Sequence, residues 1–242
     1  MKIEQAIILS GGKGTRLKDV VSNVPKPMAE INNIPFLTYL IRYLKQKGIK
    51  SITLSTGYLS EKIIDYYKDS FEGVNLNYAI EKYPLGTGGA ICFALEKTTD
   101  EDVLVLNGDS FIEFSLDNFY KFHKENNSTL SFLLKEMENF SRYGRVEIKN
   151  NRIVEFKEKT FCQKGLINTG VYLLKRTIFN SMEKEIENFS FEKDYIEPNI
   201  KNEDFFGYIT NGYFIDIGLP EDYKKAQKEF LDIWKQKYQE HK

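Results

Sequence analysis

The sequence predicts an α/β fold, a doubly wound and mostly parallel sheet with helices on both faces, on three observations. Apolar runs of strand length alternate with amphipathic helical patterns through the first half of the chain, and that alternation is the signature of a parallel sheet. The first such run, residues 3–9, leads into the glycine-rich string Leu9-Ser-Gly-Gly-Lys-Gly-Thr-Arg-Leu17, with a helical pattern after it. Ligands of such sheets sit beyond the carboxyl ends of the strands, where this string falls. Finally, 242 residues suffice for one large domain with a substantial core.

Each element has its own local reason. Residues 35–47 repeat Phe36, Leu37, Leu40, Ile41 and Leu44 at helical spacing, and Gly48 ends the helix. Residues 51–56 read as a strand and 61–68 as a helix. Residues 75–81 alternate Leu76, Tyr78 and Ile80 with polar neighbours, as a strand does. Glycines then open a helix running to Glu96. Residues 102–106 form a buried strand ending in Asn107-Gly108-Asp109. Residues 116–125 form a helix with Ser115 as N-cap; Phe119 and Phe122 mark its core face, and His123 reads as a surface histidine. Strands follow at 129–134, 142–148 and 152–158, the last two joined by an Asn150-Asn151 turn, and again at 171–174. Residues 182–202 read as a charged helix capped by Ser190. The last strand ends in Asp216-Ile217-Gly218. A helix over 219–239 starts at Pro220 and carries an apolar face of Tyr223, Ala226, Phe230, Ile233, Trp234 and Tyr238. That face packs on its own domain or on a second subunit, so a homo-oligomer stays open.

Composition excludes several classes. A formal net charge of −1 argues against nucleic acid or an anionic membrane as a standing partner. Cys92 and Cys162 have no motif spacing and read as reduced core thiols. The N-terminal apolar core, residues 6–9 behind Glu4, is too short for a signal peptide, and no run approaches membrane-spanning length. The expected location is cytoplasmic.

The glycine string carries the chemistry. Gly11, Gly12 and Gly14 let the backbone turn tightly and present successive N–H groups to phosphate oxygens. Arg16 and Lys26 add positive charge at the same mouth, which suits a nucleoside triphosphate. A P-loop is excluded because no frame gives Gly-x-x-x-x-Gly-Lys-Ser/Thr. The dinucleotide fingerprint fails because Leu17 stands at its third glycine, and kinase signatures are absent. Glu81 closes its strand before Pro84-Leu-Gly-Thr-Gly-Gly. A carboxylate accepts two hydrogen bonds side by side, which matches guanine N1–H and N2–H; uracil and thymine offer one such donor. Asp109, at the end of a central strand beside a triphosphate, suits Mg²⁺.

The pattern Leu-x-Gly-Gly-x-Gly-Thr-Arg-Leu followed by Pro25-Lys26-Pro27 resembles the sugar-1-phosphate nucleotidyltransferases (nucleotide-sugar pyrophosphorylases), from Ile3 to about Tyr223. The resemblance implies the Rossmann-like nucleotidyltransferase fold. A nucleotide-binding half covers about 1–112, a small β-rich sugar-phosphate half about 113–218, and a terminal helix 219–242. It implies that a nucleoside triphosphate meets Leu9, Gly11, Gly12, Gly14, Thr15, Arg16 and Lys26, with Gly86 and Thr87 against the base and Gly108 near the ribose. It assigns Asp109 and Asp216 to Mg²⁺. It assigns Glu158 to sugar hydroxyls, Lys159 to the sugar phosphate, and Tyr143, Gly144, Asn168 and Thr169 to the sugar pocket. Arg16, Lys26, Asp109, Lys159 and Asp216 would carry catalysis.

Within that family the strings Pro-Leu-Gly-Thr-Gly-Gly-Ala, Arg-Tyr-Gly-Arg-Val and Tyr-Phe-Ile-Asp-Ile-Gly-Leu-Pro-Glu-Asp-Tyr look most like the D-glycero-α-D-manno-heptose 1-phosphate guanylyltransferases. GTP and a heptose 1-phosphate are the substrates this implies. The alternatives are a mannose-1-phosphate guanylyltransferase, or a uridylyl-, thymidylyl- or cytidylyltransferase on another sugar phosphate. A non-catalytic nucleotide-sugar sensor on the same fold is the reading of another class. A sensor need not keep Arg16, Lys26, Asp109, Lys159 and Asp216, and all are present.

Overall fold

The computed structural model describes residues 2–12, 17, 24–157, 161–180, 182 and 188–238. In chain order come β1 (Gln5–Leu9), β2 (Glu30–Ile31), β3 (Ile34–Pro35), α1 (Phe36–Gln46), β4 (Ser51–Thr56), α2 (Ser60–Tyr67), β5 (Ser70–Phe71) and β6 (Val74–Ile80). Next are α3 (Gly86–Leu95), β7 (Asp102–Asn107), β8 (Ser110–Ile112), α4 (Leu116–Glu125), β9 (Leu130–Phe140), β10 (Arg145–Lys149), β11 (Arg152–Lys157) and β12 (Cys162–Lys175). A π-helical segment, Phe191–Ile196, continues into α5 (Glu197–Asn199), and β13 (Phe205–Ile209), β14 (Phe214–Asp216) and α6 (Pro220–Lys237) complete the chain.

One ten-stranded sheet runs β10-β11-β13-β9-β12-β7-β1-β4-β6-β5. Strands β7, β1, β4 and β6 are parallel neighbours, joined by helical crossovers as parallel pairing requires. In the second half β12 pairs antiparallel with both β7 and β9, and β10 with β11. The doubly wound part is thus the first half, and the β-rich part is a mixed sheet fused to its edge. Side chains alternate faces with a period of two. Leu104 and Leu106 of β7 join one core, Val103 and Val105 the other. The Asn150-Asn151 turn appears as expected, with φ of 51° and 63°.

The first core lies under α1, α4 and α6. Phe230 of α6 packs its ring 5.1 Å from Tyr39 and 5.0 Å from Phe111, and Trp234 sits 4.9 Å from Tyr39. The apolar face of α6 is therefore buried on its own chain. Phe230 is fully buried, so Phe230→Ala should cost about 3–5 kcal/mol in a denaturant titration. A loss under about 1 kcal/mol would show that α6 does not complete this core.

Two local expectations are corrected. His123 is 1 % exposed, not on the surface. It stands one helical turn after Phe119, so it shares the buried face, where Nδ1 lies 2.8 Å from Ser131 Oγ and Nε2 3.4 Å from Asp102 Oδ1. Burial pushes the Asp102 carboxyl up, but bonds from His123 and Lys124 outweigh it and hold the group below its ordinary range. Helix over 182–202 is likewise narrower: residues 188–190 are not helical, and the helical segment opens after Ser190, whose hydroxyl accepts from Lys193 N as the cap. Residues 181 and 183–187 lie outside the described part. Both cysteines are free thiols, and among the described residues no helix is long and apolar enough to cross a membrane.

Candidate active site

The carboxyl ends of β1, β4, β6 and β7 open into a cavity of about 810 Å³. Leu9, Gly11, Gly12, Lys26, Glu81, Gly86, Thr87 and Asp109 line it, so eight of the residues expected to meet nucleotide or metal converge there. Gly108 stays outside the lining, and its N–H donates to Leu9 O at 2.9 Å, closing the β1–β7 ladder. Gly14, Thr15 and Arg16 lie outside the described residues. Glu81 faces the cavity at the end of β6. One of its oxygens accepts from Ser55 Oγ at 3.2 Å and the other from Leu85 N at 3.1 Å. Each carboxylate oxygen has a second lone pair, so both can still accept from a base edge.

A second cavity of about 360 Å³ lies against it, lined by Tyr143, Gly144, Asn168, Thr169, Asp109 and Asp216 among others. Thr169 contributes backbone there, because its hydroxyl donates to Leu133 O at 2.7 Å. Glu158 and Lys159 lie outside the described residues. Lys26, Thr87, Asn107 and Asp109 line both cavities and so mark where they meet.

Three charged groups stand at that junction. Strands β8 and β14 pair antiparallel with Ser110 opposite Asp216, and Ile217 N donates to Asp109 O at 2.9 Å. This ladder joins two aspartates separated by more than a hundred residues. Lys26 Nζ donates to Asp109 Oδ2. A Cβ on Gly218 would lie 2.7 Å from Asp216 Oδ1 and 2.9 Å from Lys26 Nζ, so the ammonium reaches both carboxylates' surroundings. Burial, then the charge of Asp109, pushes the Asp216 carboxyl up to about 6, against the opposing pull of Lys26. Two carboxylates forced together in this way fit a divalent cation that takes few protein ligands and completes its shell with phosphate and water oxygens. Among the described residues no three His, Cys, Asp or Glu side chains converge.

Several lining residues were not singled out from the sequence. Asn107, Arg142, Ser190 and Glu192 line the second cavity or the junction, and Tyr58 and Tyr83 the first. Asn107 and Arg142 stood inside quoted strings; Glu192 looked like one more charge on a helix. The glycines of Gly86-Thr-Gly-Gly also have a reason beyond ligand approach. Gly86 has φ +69°, and a Cβ there would lie 2.4 Å from Phe189 O; one on Gly88 would lie 2.1 Å from the Phe189 ring. The loop is glycine-rich because the segment before the π-helix crosses it.

Comparison with known proteins agrees with this geometry. The family described as Nucleotidyl transferase matches residues 5–233. The chain is 47 % identical to D-glycero-alpha-D-manno-heptose 1-phosphate guanylyltransferase of Aneurinibacillus thermoaerophilus over 93 % of this chain and 97 % of that one. It is 46 % identical to the Campylobacter jejuni protein of the same name over 90 % and 96 %. The crystal structure of HddC from Yersinia pseudotuberculosis superposes with a TM-score of 0.85 at 37 % identity, covering 94 % of this chain and all of that one. The same protein has been solved in complex with GMP-PN. The expectation of a nucleotidyltransferase fold is thereby met, the sensor reading gives way to an enzyme, and the chain belongs to the nucleotidyl transferase family.

Proposed function

We propose that the chain transfers GMP from GTP to D-glycero-α-D-manno-heptose 1-phosphate, releasing pyrophosphate and giving GDP-heptose for surface polysaccharide synthesis in the cytoplasm. The observation that carries this reading is the meeting of two cavities at Lys26 and Asp109, one beside Glu81 and the phosphate loop, the other beside Tyr143 and Asn168. The two guanylyltransferase relatives and the GMP-PN complex support guanine and heptose.

The nucleophile is a phosphate oxygen of the sugar 1-phosphate, already anionic at neutral pH, so no general base is needed. It attacks the α-phosphorus, the bond to the β-phosphate oxygen breaks, and pyrophosphate leaves with that electron pair. Catalysis is positioning plus charge neutralisation along an in-line path. Lys26 sits at the α-phosphate, where charge builds up. Arg16 and the loop N–H groups hold the leaving β- and γ-phosphates, and Lys159 offsets repulsion between the two anionic substrates. Asp109 and Asp216 would hold a Mg²⁺ ion, which would supply further positive charge to the phosphates.

The test is a competition read by product mass. With all four common nucleoside triphosphates and heptose 1-phosphate, GDP-heptose should dominate; with GTP and mixed heptose, mannose and glucose 1-phosphates, it should dominate again. A GDP-mannose product would replace the sugar assignment, and a UDP- or dTDP-sugar the base assignment. Glu81→Gln should lower selectivity for GTP over other triphosphates by about 10–100-fold, because an amide cannot accept two hydrogen bonds side by side on separate atoms. Unchanged selectivity would remove Glu81 from base recognition.

A further inference from the structure

Glu192 lines the second cavity on the first turn of the π-helical segment, and its carboxylate is the end point of hydrogen bonds from both sides of the site. From the nucleotide side, Thr87 Oγ1 donates to Glu192 Oε2 at 2.9 Å. The same Thr87 oxygen accepts from Phe191 N at 2.8 Å, which fixes its proton toward Glu192. From the sugar side, Asn168 Nδ2 donates to Tyr172 OH at 2.6 Å, and Tyr172 OH donates to Glu192 Oε1 at 3.2 Å. Tyr172 is 1 % exposed, and burial keeps its phenol protonated, so it can only pass a proton toward the carboxylate. Every donor in this chain points one way. Ser190 Oγ, 3.2 Å from Glu192 Oε2, ties the carboxylate to the helix cap.

The backbone repeats the connection. Phe189 N donates to Leu85 O at 3.0 Å and Gly88 N to Phe189 O at 2.9 Å, so the segment carrying Glu192 is zipped to the loop that starts α3. The segment is π-helical, a geometry that is rare elsewhere and frequent at functional sites. Thr87 lines both cavities and Asn168 the second.

We propose that Glu192 is a positioning residue: it holds the Thr87 loop and the Asn168 strand in one fixed relation, so that the bound nucleotide and sugar 1-phosphate meet in line. This rests on the two-substrate reading above. An in-line reaction is sensitive to small misplacements of one reactant against the other, while each substrate alone needs only its own half of the site. The signature of Glu192 is therefore in turnover and not in either binary affinity.

The experiment uses the full chain with GTP and heptose 1-phosphate, reading steady-state turnover, and the binding of a non-hydrolysable GTP analogue and of heptose 1-phosphate separately. Glu192→Gln should lower kcat about 10–100-fold while each separate Kd moves less than about threefold. Tyr172→Phe, which removes the hydroxyl that accepts from Asn168 and donates to Glu192, should lower kcat in the same pattern by about fivefold. The double variant should fall no further than Glu192→Gln alone, because Tyr172 acts through Glu192. Unchanged kcat in either variant, losses that multiply, or a change confined to one substrate's Kd would overturn the proposal. If Glu192→Gln does not fold, Tyr172→Phe decides by the same criteria. A wild-type chain that turns over no triphosphate with any sugar phosphate would instead sink the two-substrate reading, a result distinct from active wild type with unaffected variants.

Discussion

Lys26→Ala should lower kcat by about 10²–10³-fold while the Kd for GTP changes less than about threefold. The side chain is 16 % exposed at the junction of the two cavities, with its ammonium on Asp109 and beside Gly218 and Asp216. Ground-state binding should draw on the other groups of the nucleotide cavity as well, so losing one cation should weaken it little. In the transition state, charge gathers on the α-phosphate, and there one preorganised ammonium matters far more than in water. Stopped-flow turnover together with equilibrium titration of GTP separates the two effects. Equal losses in both would place Lys26 on the leaving phosphates instead.

Asp216→Asn should abolish most turnover, by about 10³-fold, and at the same time raise the thermal stability of the protein without substrates. The carboxyl titrates at about 6 in the folded chain against an ordinary 3.8, so folding favours its protonated form. Its contribution to stability is then complete below the unfolded value of 3.8 and is lost as pH rises through about 6. At pH 8 the wild type carries the full penalty of a charge buried beside Asp109, and asparagine escapes it. The gain is on the order of 1–3 kcal/mol at pH 8 and should vanish below about pH 4. Thermal melts at both pH values check this. Equal or lower stability of the variant at pH 8 would show that Asp216 is not held against a like charge.

Much of this was legible in the sequence because it is local. The strand of residues 51–56, the helix of 116–125 with its Ser115 cap, and the Asn150-Asn151 turn follow from periodicity and turn chemistry a few residues wide. The glycine loop and Glu81 announced the first cavity for the same reason. Long-range pairing is what stayed hidden. The resemblance put Asp109 and Asp216 on one metal and a strand end was expected at Asp216, but β8, three residues long, gives no periodic signal, so the β8–β14 pairing that joins them was not legible. Strand β13 is interrupted by Gly207 and was not expected at all. Glu192 and Thr87 are 105 residues apart, and nothing local tells a carboxylate on a solvated helix from one that ties two cavities together. His123 was misplaced because its neighbours were weighed for chemistry more than its helical phase against Phe119. The alternative for α6, packing on a second subunit, was settled by its aromatic contacts with Tyr39 and Phe111.

In the proposed reaction a sugar 1-phosphate oxygen attacks the α-phosphorus of GTP at the Lys26–Asp109 junction. The most direct measurement follows heptose 1-phosphate carrying ¹⁸O in its phosphate through a single turnover with GTP and Mg²⁺. Pyrophosphate should be released only when both substrates are present, with all the label in GDP-heptose and none in pyrophosphate. Label in pyrophosphate, release from GTP alone, or free GMP as the main product would contradict it.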